Sequence, residues 1–386
     1  MDISTNSYVQ LYHHRFAYCT HFFAHQNNTM EAVRYHGPNE ALTFETVPIP
    51  TEADLSSDEV IVRVEASALC HTELHFADGT LNLGVKPITL GHEAVGVITA
   101  VGSDISPSRI GQRVINYYYV GCANCRWCNR GDQQLCPNLK AEHGFISDGG
   151  LAGYIRTPSR NAVVIPDSLE FVDAAPIGCG VTTAVHAAKL GRVDSTQDEC
   201  ALVYGCNGVG FGLVQLLKNV YGIKNVGVVA RSEAKRKMAI ELGADFAIDG
   251  TDASSVAAAV REKTGGEGVD VLFECVGTRD TLDSCVGWVG ALGRRGRLVL
   301  VGYHQGEDHE FRCHPIPMIV YEQTVVGSVG ATLEDLKEAV KYVGEGKIRT
   351  VVDSTISLNE FQNGLDRIKS CDCVGKIVCL PCHGRR

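Results

Sequence analysis

The sequence lacks any apolar run approaching ~18 residues, and that excludes a membrane-spanning helix. Positive charge is also short: the formal net charge of −10 argues against a nucleic-acid or anionic-membrane partner, since both call for a basic footprint. Residues 1–29 have neither the apolar core of a secretory signal nor the arginine-rich character of a transit peptide. They read as a disordered or loosely docked N-terminal extension. With no secretory signal, the cytoplasm is the expected compartment. No internal repeat and no low-complexity tract is evident. From Met30 to about Pro176 no long stretch of helical periodicity appears either.

Cysteine is abundant, at sixteen in 386 residues. Outside a secretory context such a count favours reduced thiols or metal ligation over a disulfide framework. The length suffices for two domains with proper cores. The stretch before Pro176 is β-rich, with short β-branched runs such as EVIVRVEAS and EAVGVITAVG broken by Gly, Asp and Pro. After Gly180 the pattern alternates. ALVYG (201–205) and NVGVVA (225–230) read as buried strands, and Leu213, Leu216, Leu217 and Val220 between them fall at helical spacing. Ser232 stands as an N-cap for a helix running to Leu242, and Thr332 with Asp335 forms a capping-box start for TLEDLKEAVKYV. Alternating strand and helix predicts an α/β unit with a doubly wound parallel sheet over about 181–328. The flanking segments, 30–180 and 329–386, are expected to form the β-rich domain.

Two local motifs point to ligands. GCNGVG (Gly205, Asn207, Gly208, Val209, Gly210) lies between a strand and a helix, where backbone N–H groups and the helix N-terminus meet a pyrophosphate. Asn207 replaces the second glycine, on the expectation that Asn tolerates left-handed backbone. The residue that would select NAD, an Asp or Glu about 20 residues on, is missing. Ala230, Arg231 and Ser232 stand there, followed by Lys235 and Arg236, so NADP(H) is favoured over NAD(H). The second motif is GCANCRWCNRGDQQLC, in which Cys122, Cys125, Cys128 and Cys136 can close a tetrahedral four-sulfur shell. A closed shell holds structure and performs no chemistry. A catalytic zinc keeps one position open, and candidate ligands for one lie on separate segments, at Cys70, His92 and Cys179; spacing alone does not assemble them.

The order CHTELH, GHEAVGVITAVG, the four-cysteine loop, PIGCGVTTA and YGCNGVG resembles the zinc-dependent medium-chain alcohol dehydrogenases, from about Met30 to GKIVCL. The resemblance implies a GroES-like catalytic domain beside a Rossmann domain. It implies Cys70, His92 and Cys179 as catalytic zinc ligands, with Glu93 close to the metal, and a structural zinc in the four-cysteine loop. Thr72 and His75 correspond to a proton relay. Glu73 stands where the family usually has Asp, a residue expected to orient the zinc-binding His. By analogy Phe76, Ala77, Leu81, Tyr117 and Tyr118 line the substrate pocket, and a bulky or aromatic alcohol or aldehyde is the expected substrate. The implied activity is reversible hydride transfer between NADP(H) and an alcohol. Rival readings are an NAD-dependent polyol or secondary-alcohol dehydrogenase, an enoyl reductase on the same fold, and a non-catalytic nucleotide-binding protein. A homodimer or homotetramer is expected, with TVVGSVG as an edge strand continued across a two-fold axis.

Overall fold

The computed structural model describes residues 28–84, 87–304 and 310–383. The expectation for the N-terminal extension falls, apart from Asn28 and Thr29, outside the described residues. The β-rich part is a seven-stranded sheet in which Ala162–Val164, Arg113–Asn116, Ala94–Val101, Glu59–Ala68, Lys376–Leu380 and Val352–Ser357 lie side by side. Tyr154–Pro158 adds to Glu59–Ala68, and a small sheet of Thr43–Pro48, Thr29–Tyr35 and Ile88–Thr89 lies beside it. Most of these pairings are antiparallel. The C-terminal strand Lys376–Leu380 pairs back onto the first half of the chain, Val378 opposite Ala68 and Cys379 opposite Ser67.

The other half is a six-stranded, wholly parallel sheet. Its order is Phe246–Asp249, Asn225–Ala230, Cys200–Tyr204, Val269–Glu274, Leu292–Leu300 and Thr324–Gly327. That is the doubly wound order, with its switch point between Cys200–Tyr204 and Val269–Glu274. All five residues of Cys200–Tyr204 are buried, because helices cover both faces of a parallel sheet. By contrast, Thr43–Pro48 alternates between half-buried and exposed, as an outer strand does. Thr324–Gly327 ends the sheet as an edge strand, as the sequence predicts.

Helix Glu233–Glu241 starts at Ser232 without a side-chain cap bond. Helix Leu333–Gly344 has the predicted capping box, and Asp335 also meets His186 Nδ1 at 2.8 Å and Lys189 Nζ at 2.7 Å, tying this helix to helix Gly180–Leu190. One helix the periodicity did not show is His71–Ala77, whose seven residues are too few to display a repeat. No helix among the described residues is long and apolar enough to cross a membrane, and the cysteines of both ligand groups are free thiols.

Candidate active site

Three chain connections deliver the predicted ligands to one place. Cys70 follows strand Glu59–Ala68 and caps helix His71–Ala77. His92 precedes strand Ala94–Val101, and Cys179 caps helix Gly180–Leu190. The ligand atoms of Cys70, His92, Glu93 and Cys179 all lie within 4.8 Å of one another. The thiol of Cys179 hydrogen-bonds the Cys70 sulfur, which holds Cys70 well below the ordinary thiol range. The same shared proton and burial hold Cys179 above it. Two half-buried cysteine sulfurs beside a buried imidazole form a donor set suited to a borderline-soft cation, and zinc fits it.

Glu73 shows what the extra methylene does. One carboxylate oxygen accepts from the Cys70 backbone N–H at 2.7 Å, closing the first turn of the helix. The other reaches His92 Nδ1 at 3.5 Å. Neither that oxygen nor Nδ1 has a hydrogen-bond partner among the described residues. His92 is thereby oriented with Nδ1 toward Glu73, while Nε2 faces the cluster, 3.8 Å from Glu93. The Glu73 carboxylate thus stands behind the imidazole at a separation that makes no hydrogen bond to it.

Lys376 carries no signal in the sequence pattern. Its ammonium hydrogen-bonds the Glu93 carboxylate and meets the Leu69 carbonyl at 3.4 Å, with both charged side chains buried. Burial pushes the Glu93 carboxyl up to about 8, against the opposing pull of Lys376. Burial also disfavours the Lys376 charge, but the Cys70 sulfur and Glu93 outweigh it, so Lys376 stays protonated. Strand Lys376–Leu380 places it there by pairing beside Ser67 and Ala68.

An open cleft of ≈ 1560 Å³ runs from this cluster to the glycine-rich turn. That exceeds the ~300–1,000 Å³ of a typical small-molecule pocket and suits a dinucleotide with a substrate. Gly205 has φ +97°, and a Cβ on Gly210 would lie 2.1 Å from the Gly205 carbonyl oxygen, so this close turn requires glycine. Asn207 does not use left-handed backbone. Its φ of −151° and ψ of −147° are extended, and its side-chain oxygen accepts from Gly375 N–H at 3.2 Å, linking the turn to the segment that carries Lys376. Ala230 is buried at the end of its strand, while Arg231 is exposed on the cleft and reaches Cys371 Sγ at 3.3 Å. Arg236 holds the Ala230 and Arg231 carbonyls at 2.7 and 2.8 Å and pairs with Asp249 at 3.0 Å. The carboxylate of the neighbouring strand is thus already neutralised.

Thr72 Oγ1 lies 3.8 Å from Cys70 Sγ, and Thr72 lines the cleft together with Tyr303. His75, one helical turn on, lines the cleft with Nδ1 buried and without a partner. Burial lowers its pKa below the ordinary histidine value. It is therefore neutral near pH 7, with a lone pair free to receive a proton.

The predicted pocket wall divides. Ala77, Leu81 and Tyr118 line the cleft, and Tyr118 stands edge-on to His92 with ring centroids 5.3 Å apart. Phe76 instead packs in the core against Tyr35 at 5.0 Å. The Tyr117 hydroxyl is turned away, donating to the Ala331 carbonyl at 2.8 Å. Tyr119, not anticipated, takes its place beside Tyr118, 4.4 Å between centroids.

The second cysteine group is Cys122, Cys125, Cys128 and Cys136, all four sulfurs within 4.8 Å of one another. Cys122 and Cys128 are 4.0 Å apart, and Cys125 and Cys136 are 3.8 Å apart. A tetrahedron with zinc–sulfur bonds of ~2.3 Å has sulfurs about 3.8 Å apart, so these thiols already match its dimensions. The Cys125 and Cys136 sulfurs accept backbone N–H groups from Cys128 and Cys122. Gly121 makes room, since a Cβ there would come within 2.5 Å of Cys128 Sγ.

Comparison with known proteins agrees with this geometry. The family described as "Alcohol dehydrogenase GroES-like domain" matches residues 56–167, and that described as "Zinc-binding dehydrogenase" matches residues 208–345. The chain is 32% identical to an alcohol dehydrogenase of Geobacillus stearothermophilus, over 90% of this chain and 98% of that one. It is 29% identical to an NAD-dependent alcohol dehydrogenase of Sulfurisphaera tokodaii, over 91% of this chain and 100% of that one. The crystal structure of the alcohol dehydrogenase from Aeropyrum pernix superposes with a TM-score of 0.82 at 32% identity, covering 91% of this chain and all of that one.

Proposed function

The chain belongs to the zinc-dependent medium-chain alcohol dehydrogenase family, and from that premise we propose that it uses NADP(H) to interconvert a bulky or aromatic alcohol and its carbonyl compound. The observation that carries this reading is the convergence of Cys70, His92 and Cys179 at one end of the cleft that holds the Gly205–Gly210 turn. Zinc held by these three residues supplies Lewis acidity to the substrate oxygen.

The chain's own groups do the rest. Lys376 pairs with Glu93, and the Glu93 carboxylate stands beside the metal position, where it would assist ligand exchange. The Thr72 hydroxyl, beside Cys70, would take the proton of an alcohol, and neutral His75, one helical turn on, would be its eventual acceptor. The Gly205–Gly210 turn, at the N-terminus of helix Gly208–Leu216, would hold the pyrophosphate. Aromatic Tyr118 and Tyr119 wall the substrate end.

The cofactor preference rests on Ala230, Arg231 and Lys235, with Arg236 already occupying Asp249. No carboxylate remains at the strand end to repel a 2′-phosphate, and the Arg231 guanidinium offers it a fork of donors. The Sulfurisphaera relative carries the NAD-dependent name, so the two cofactors must be compared directly on this enzyme. Aldehyde reduction at equal cofactor concentration is expected to be about tenfold or more faster with NADPH than with NADH, the gain of a charge-assisted contact. A preference for NADH would overturn the Arg231 argument. A second copy of the chain is expected along Thr324–Gly327, beside which Trp288, Ile319 and Val320 are exposed.

A further inference from the structure

Glu142 lines the same cleft as the metal ligands, and nothing in the proposed reaction uses it. Its backbone is fixed: the Glu142 carbonyl accepts N–H groups from Phe145, Ile146 and Ser147 at 3.0, 3.0 and 3.2 Å. Strand pairing sets Glu142 opposite Tyr119. Tyr118 and Tyr119 stand side by side, ring centroids 4.4 Å apart, so two phenols lie between His92 and this acid. Around them stand aromatic rings, with Phe145 5.8 Å from Tyr118 and 5.1 Å from His92. No Lys or Arg lies within ion-pairing distance of Glu142 among the described residues. Burial pushes its carboxyl up to about 7, opposed by His92 and Tyr119.

A carboxylate accepts about four hydrogen bonds, and here the protein offers the Tyr119 phenol. An apolar substrate entering the cleft would strip water from the remaining lone pairs and leave the charge uncompensated. A cationic substrate would supply both the missing donor and the missing charge, and the aromatic faces around the acid favour a cation further. We propose that Glu142 is a specificity residue that selects alcohols and aldehydes carrying a protonated amine beyond the reacting carbon. This rests on the carbonyl-reductase reading above and deepens it, by naming the substrate class of the same site.

Three benzaldehydes test it: meta-dimethylaminomethyl, which is cationic, its neutral isostere meta-isobutyl, and the smaller meta-hydroxymethyl, which donates without charge. The wild type is expected to show a kcat/KM about tenfold or more higher for the amine than for the isobutyl compound, carried mainly in KM, with the hydroxymethyl compound between them. Glu142→Gln keeps an acceptor for Tyr119 but loses the charge, and should bring the amine-to-isobutyl ratio to about one. Glu142→Leu should invert it. A wild-type ratio near one overturns the proposal. So does a ratio that survives in Glu142→Gln, or a hydroxymethyl gain equal to that of the amine. If none of the three is reduced with either cofactor, the carbonyl-reductase reading fails instead. Calorimetric binding of the amine against its isostere then decides the role of Glu142 on its own, with tighter amine binding lost in Glu142→Gln as the supporting result and equal binding as the opposing one.

Discussion

Replacing Cys70 and His92 together by alanine is expected to lower kcat/KM for carbonyl reduction by about 10³-fold or more. Lewis-acid stabilisation is worth several kcal/mol, and every ~1.4 kcal/mol is tenfold in rate. The double variant should also contain one zinc per chain where the parent contains two. The four-cysteine loop lies on its own excursion of the chain and shares no ligand with Cys70 or His92. Its thermal transition is not expected to collapse, because the loop zinc remains. Elemental analysis, initial rates and a melting curve on the same preparations check all three points. Normal carbonyl reduction by the double variant would remove zinc from the chemistry altogether.

The second large effect is on stability. In the loop from Cys122 to Cys136, helix Arg126–Asn129 spans one turn, and the glycine and backbone arrangement serves to bring four sulfurs together. With little apolar surface of its own, the loop is held chiefly by what it grips. Binding free energy at a structural zinc site is folding free energy, ~10–16 kcal/mol in isolated zinc-finger peptides. That is an upper bound for a loop attached to a folded domain. Cys122→Ser with Cys136→Ser is expected to lower the melting temperature on the order of 10 °C, from a loss of several kcal/mol in a large chain. Activity at low temperature should fall far less than in the Cys70/His92 variant. The opposite ranking, with rate lost before stability, would show that the loop takes part in the reaction.

The contrast between the two zinc sites also explains what the sequence makes legible. The loop ligands are local, so their spacing alone encodes the site. Cys70, His92 and Cys179 come from three connections, and only the order of motifs along the whole chain identifies them. The parallel sheet is legible because its strands are short continuous apolar runs between helical segments. Lys376 is hidden by a long-range pairing: the residue opens what looks like an ordinary C-terminal strand, and its role appears only when Val378 meets Ala68.

The tyrosines make a similar point. The three consecutive tyrosines straddle the break between strands Arg113–Asn116 and Tyr119–Val120, so strand alternation cannot say which of them face the cleft. Tyr117 turns to the Ala331 carbonyl, and Tyr118 and Tyr119 line the wall. Phe76 sits on a seven-residue helix too short to declare its buried face. Asn207 shows that a departure from a glycine motif need not keep the expected backbone. Its extended conformation frees the side chain to bind Gly375, a contact that glycine could not make.

The most direct measurement of the central claim is NADPH-dependent aldehyde reduction by the full chain through a cycle of zinc removal and return. Activity is expected to disappear with the zinc held by Cys70, His92 and Cys179, and to return when zinc is restored. Undiminished reduction by the zinc-free protein would contradict it.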